Sequence, residues 1–265
     1  MDRKYYLDLA ASGLRMPIGT DLVLHEHADP QAIQLDGHRL GQVVVETARR
    51  FRTPLALAHM NLEVEKAALL SALGIPESQI PAFHFRECPE PGHLEILQKK
   101  PKAADIPRLR AQVEAVAHVA QKSGLVPVAM CIGPFSLATK LLEDPIGAIF
   151  ISGSGATAQE EEEVRRLEKV LELAQEMVLI SIRWKIAAGA KVVCIAEPAA
   201  NQVYFSPRQL NQGSDIFDRY VMNLHRQIKA LLDQHGVDLF FHCCGELIES
   251  QVRHFASLDP VILSL

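Results

Sequence analysis

Val126-Pro127-Val128-Ala129-Met130-Cys131-Ile132-Gly133-Pro134 is a seven-residue apolar run closed by a glycine and a proline. A short, continuous apolar run bounded by turn residues reads as a strand buried on both faces. The residues behind it, 135–142, read as the start of a helix. The same pattern recurs outward in both directions. Residues 55–60 form an earlier strand, and a helix follows from Glu63 with Val64, Ala67, Leu70 and Leu73 inward and Gly74 as its stop. Residues 192–196, 239–243 and 261–265 give three later strands, and residues 82–85 a further short one. The intervening segments carry helical periodicity. Leu40, Val43, Val44 and Thr47 share one face, and Leu109, Val113, Val116 and Ala120 form a stripe behind Pro107. Thr157-Ala158-Gln159-Glu160 has capping-box spacing ahead of a long helix that ends at Gly189. Ser206-Pro207-Arg208-Gln209 has it ahead of a short one. Helices over 216–236 and 247–255 complete the set. Strands alternating with helices imply a parallel sheet covered by helices, either a (β/α) barrel or an open doubly wound sheet. Both collect ligands beyond the carboxyl ends of the strands. Those positions are Asn61, Gly133, Glu197 and the His242–Gly245 group.

Composition narrows the class. The chain has 265 residues, 48% hydrophobic and 22% charged, which suits one globular domain over 1–265 and excludes general disorder. The first 38 residues, punctuated by Gly13, Pro17, Gly19, Pro30 and Gly37, read as irregular. A net charge of −5 argues against nucleic acid or an anionic membrane as the main partner. No run approaches the apolar length of a membrane span. The opening residues lead into no apolar secretory core, so a cytoplasmic protein with five reduced cysteines is expected.

The strongest local signal is Phe241-His242-Cys243-Cys244-Gly245. On a strand, His242 and Cys244 share a side and Cys243 takes the other. An imidazole and a thiolate there make half of a zinc site, or else a core histidine beside small packing cysteines. Glu197 ends the preceding strand. It reads as an oxygen ligand, an acid/base group beside His242, or a carboxylate capping nearby backbone. Cys131 and Cys194 read as packing residues. His25-Glu26-His27 reads as solvated surface. Gly153-Ser154-Gly155 lacks the lysine of a phosphate loop and is followed by four glutamates. It reads as a loop before a solvated helix braced by the i,i+4 pairs Glu161/Arg165 and Glu162/Arg166.

Four segments taken together resemble the uroporphyrinogen decarboxylase superfamily. They are Met60-Asn61-Leu62 with Glu65 and Leu73-Gly74; Gly133-Pro134-Phe135-Ser136-Leu137-Ala138-Thr139; Glu197-Pro198-Ala199-Ala200 with Phe205-Ser206-Pro207; and His242-Cys243-Cys244-Gly245. The last is similar to the His-x-Cys-Gly motif of the branch that methylates thiols from methylcobalamin. The resemblance implies a (β/α)8 TIM-type barrel, and five or six strands leave this chain about two strand–helix units short of one. It implies zinc on His242 and Cys244, with a third ligand, a cysteine near the carboxyl end, that no position here matches. It implies Glu197 as the catalytic carboxylate and Asn61, Gly133, Ser136, Asn201 and Tyr204 as substrate-binding residues.

Three functions follow. The first is a zinc-dependent methyltransferase moving a methyl group between a corrinoid, carried by a partner protein, and a small thiol. The second is a cofactor-free decarboxylase acting on a tetrapyrrole in porphyrin biosynthesis. That branch carries an amino-terminal Arg-Gln-Ala-Gly-Arg motif, for which Arg15 near Met16-Pro17 is a poor substitute. It also has an aspartate where Asn61 stands and a tyrosine where Lys140 stands. The third is a non-catalytic barrel-like binding subunit. The oligomeric state stays open.

Overall fold

The computed structural model describes residues 1–14, 19–99 and 105–265. Arg15, Met16 and Pro17 lie outside them. In chain order the elements are α1 (Arg3–Ala11), α2 (Thr20–His25), α3 (Pro30–Ile33), α4 (Gly37–Arg50), β1 (Leu55–Leu57), α5 (Val64–Ala72), α6 (Gly92–Lys99), α7 (Pro107–Lys122) and β2 (Val126–Ile132). Then come α8 (Pro134–Leu141), α9 (Pro145–Gly153), α10 (Glu162–Ala187), β3 (Val192–Ala196), α11 (Pro207–Asn211), α12 (Asn223–Gln234), β4 (Asp238–His242), α13 (Glu249–Ala256) and β5 (Ile262–Ser264).

All four strand pairings are parallel, and the sheet order is β1-β2-β3-β4-β5. A doubly wound sheet reverses its strand order at a switch point. None occurs here, so the sheet is a curled half-barrel, a partial TIM-type fold. Side-chain alternation divides its faces. Ala129, Cys131, Val193, Ile195, Leu239 and Phe241 join the large core beneath the helices, with Leu69, Leu167, Ile182, Ile228 and Phe255. Leu55, Leu57, Val128, Met130, Val192, Cys194, Ala196 and Phe240 line the inner face.

The amino-terminal region differs from the irregular segment expected from its glycines and prolines. Its described residues hold three helices, and α1 packs on the inner face. Tyr6 is buried there and its hydroxyl donates to Asp238 Oδ2 at 2.6 Å, at the start of β4. Arg3 pairs with Asp259. Tyr5, Tyr6 and Leu9 supply the contact, too short a stripe to stand out as a helix. A groove of about 340 Å³ runs beside α1, floored by Leu55, Phe240 and Ile262.

Two other local expectations change. Residues 82–85 form no strand: a 3-10 turn, Glu77–Ala82, holds Pro81, and Phe85 makes one isolated bridge to Leu142. The Thr157/Glu160 pair closes a turn, with Glu160 Oε2 accepting from the Thr157 N–H and hydroxyl, and α10 begins beyond it. Arg165 then donates to the Ala158 carbonyl and Arg166 to that of Arg86, in place of the expected glutamate pairs.

Candidate functional site at the carboxyl ends of the strands

His242 is the last residue of β4 and stands opposite Ser264 of β5. Its Nδ1 lies 2.9 Å from the Ser264 hydroxyl. It is half-buried, and burial holds its pKa below the usual histidine value. Cys244 is exposed, whereas Cys243 is fully buried, its Sγ 4.0 Å from the Ala200 carbonyl. Burial pushes the Cys243 thiol up to about 11. Cys243 thus packs into the helix layer.

Glu197 takes a different place from the one expected beside the His242 side chain. The register pairs His242 with Ala196, so Glu197 is one position further on and turns to the helix-covered face. It is 0% exposed. Its reach explains the start of α8. The N-cap there is Gly133, which has no side chain to offer, and Pro134 has no N–H. The next two N–H groups, of Phe135 and Ser136, donate to the Glu197 carboxylate. The carboxylate also sits 2.7 Å from Nε2 of His225 on α12, which is 1% exposed. Glu197 is therefore a cap supplied from a neighbouring strand, one of the three roles its sequence position suggested. A β carbon at Gly133 would overlap this carboxylate.

The other expected site residues are largely spent on building the rim. Ser136 is 2% exposed, and its hydroxyl accepts from the Ala199 N–H at 2.9 Å. Asn201 is buried. It donates to the Pro198 carbonyl at 2.6 Å and accepts from the Val203 N–H at 2.8 Å. Asn61 is half-buried, accepting from the Glu63 N–H and donating to Gln34. Tyr204 is half-buried, edge-on to Phe135. Among these residues only His242, Cys244, Asn61 and Tyr204 keep substantial access to solvent. His25 and Glu26 are exposed and His27 is half-buried; His25 lies beside Asp21, His27 beside Glu46, and Glu26 pairs with Arg50.

The imidazole and thiolate of His242 and Cys244 suit zinc, but Glu197 is committed elsewhere. No group of three His, Cys, Asp or Glu side chains among the described residues is arranged to hold a metal. The described residues supply two donors, which is less than a zinc site needs.

Sequence reasoning missed His225, although it interrupts the buried stripe of Ile228 and Leu232 on an amphipathic helix. A histidine in such a stripe signals a buried partner. It also missed His59, just past β1, which is buried with Nε2 3.0 Å from Asp21.

The model of the family described as uroporphyrinogen decarboxylase (URO-D) matches residues 26–264. The chain belongs to the uroporphyrinogen decarboxylase family. No curated protein matches this sequence. Among solved structures, a methyltransferase from Methanosarcina mazei is similar, with TM-score 0.63 and 15% identity. The match covers 95% of this chain and 68% of that one. At that identity the likeness concerns the fold. No helix of this family member, among the described residues, is long and apolar enough to cross a membrane.

Proposed function

We propose that this uroporphyrinogen decarboxylase family member is an enzyme that transfers a methyl group between a corrinoid, carried by a partner protein, and a small thiol. The observation that carries the reading is the end of β4, where His242 and Cys244 keep solvent access while Cys243 packs inward. The methyltransferase fold of the similar Methanosarcina structure agrees with it. In the reaction the thiol loses its proton, its sulfur takes the methyl carbon, and the electron pair of the broken bond stays with the donor. The Ser264 hydroxyl fixes the ring of His242, and burial keeps that ring neutral near pH 7. Nε2 is then free to bind a metal or take the thiol proton. Asn61 and Tyr204 offer polar contacts to a bound substrate. Gly133, Ser136 and Asn201 shape the wall behind it. Zinc belongs to this proposal with His242 and Cys244 as two of its ligands; proton transfer to His242 does not depend on it, and Cys244 enters the test below as a ligand.

The second reading, decarboxylation of a tetrapyrrole, draws on the family's own description. Methyl transfer from methylcobalamin to small thiols, assayed beside turnover of a porphyrinogen, separates the two. His242→Ala and Cys244→Ala should each abolish thiol methylation. Cys243→Ala should keep it and lose about 1 kcal/mol of stability. Porphyrinogen turnover without thiol methylation, or full methylation in both ligand variants, overturns the proposal.

A further inference from the structure

The loops after β2, β3 and β4 form one bonded unit, and its buried centre is a glutamate–histidine hydrogen bond. Glu197 and His225 are 0% and 1% exposed and 2.7 Å apart. The carboxylate holds the Phe135 and Ser136 N–H groups on one side. On the other side the Glu197 N–H donates to the His242 carbonyl at 2.8 Å. From there the bonding runs on. Ala199 donates to Ser136 Oγ, Gln202 donates to the Glu246 carbonyl at 3.0 Å, and Gly245 lies against Asn201 so closely that a β carbon would overlap it. The His225 ring stands edge-on to Phe241, one residue before His242. A π-helical turn, Asp218–Met222, leads into the helix that carries His225. Such turns are rare and cluster at functional sites.

We infer that the Glu197–His225 pair is a clamp that sets the position of His242 and Cys244 from behind the sheet, so that both are positioning residues for the rim. A carboxylate accepts at every lone pair. An amide in its place offers one oxygen and an NH₂ group, which would face the Phe135 or Ser136 N–H donor to donor. Both residues are closed off from bulk solvent, so the rim must rearrange to restore the lost partner. The shift reaches His242 through its carbonyl and Cys244 through the Gln202–Glu246 bond. The inference gives the proposed reaction a rim of defined shape, and its test needs neither that reaction nor a metal.

The reporter is the exposed thiol of Cys244 measured against half-buried Cys88, the other three cysteines being buried. Iodoacetamide labelling followed by peptide mass mapping gives the ratio of the two rates, which tracks thiol access and thiolate fraction. In Glu197→Gln and in His225→Gln the ratio should change by about fivefold or more, with the Cys88 rate and the helical circular dichroism unchanged. A ratio within about twofold of the native one, with only the melting temperature lowered, would make the pair merely structural and overturn the inference. Hydrogen exchange of the unmutated protein keeps the question open to refutation if a variant fails to fold. The N–H groups of Phe135, Ser136, Glu197 and Gln202 should share one opening free energy. Exchange of Phe135 and Ser136 about tenfold faster than Glu197 would show separate loops and no clamp.

Discussion

Lys185 and Glu65 meet at 2.7 Å in the helix layer, each side chain 1% exposed. Glu65 Oε1 also accepts from Ser181 at 2.8 Å and from the Cys131 thiol at 3.2 Å, while Lys185 donates to the Met130 carbonyl. Cys131 is thus a donor as well as the packing residue its apolar strand suggests. Removing one partner of a buried pair leaves a charge with nothing to balance it. Lys185→Met should cost about 3–5 kcal/mol in urea unfolding. Glu65→Leu added to it should recover most of that loss, because the pair itself contributes little net stability. His59 makes a pH prediction. Burial holds its pKa below the ordinary 6.5 even though Asp21 pulls the other way. A histidine with a lowered folded pKa contributes full stability above about 6.5 and loses it as pH falls through the folded value. The urea midpoint should therefore drop between about pH 7 and about pH 5, and less steeply in His59→Gln. His118 and His242, lowered by burial as well, add to the same slope.

The start of α8 is where an element depends on a residue far away in sequence. Gly133→Ala would push a β carbon into the Glu197 carboxylate and should cost about 1–3 kcal/mol by thermal unfolding. Gly92→Ala, at the open start of α6, should leave the melting temperature near native. The runs 126–132 and 192–196 were legible as strands because every residue in them is apolar, which helices do not need to be. The role of Glu197 was not. The register sets Ala196, and not Glu197, beside His242, and register is a property of two strands together. The Thr157/Glu160 pair shows a similar limit: the capping spacing is real, but it closes a turn and the helix opens after it.

At the largest scale the described residues form a five-stranded parallel sheet with helices on its outer face and α1 on part of its inner one. Alternation of strand and helix left two architectures open, and only the unbroken spatial order of the strands decides for the half-barrel. The docking of α1 was illegible because its partner, Asp238, lies 232 residues away. Tyr6→Ala should cost about 3–5 kcal/mol, as other buried aromatic truncations do. It should also raise binding of a hydrophobic dye to the uncovered inner face. Unchanged stability would mean that α1 is not docked in solution.

That docking also has a timetable. A ribosome adds about 5–20 residues per second, so Asp238 follows Tyr6 by about 12–46 s. The strands β1 to β3 can pair in the order they emerge, each beside the last. For that interval the aromatic face of α1 has neither β4 nor β5 to settle on. A nascent chain stalled before residue 238 should leave α1 open to protease, and one stalled well beyond β5 should protect it. α1, made before every strand of the sheet, is thus among the last of these elements to be seated.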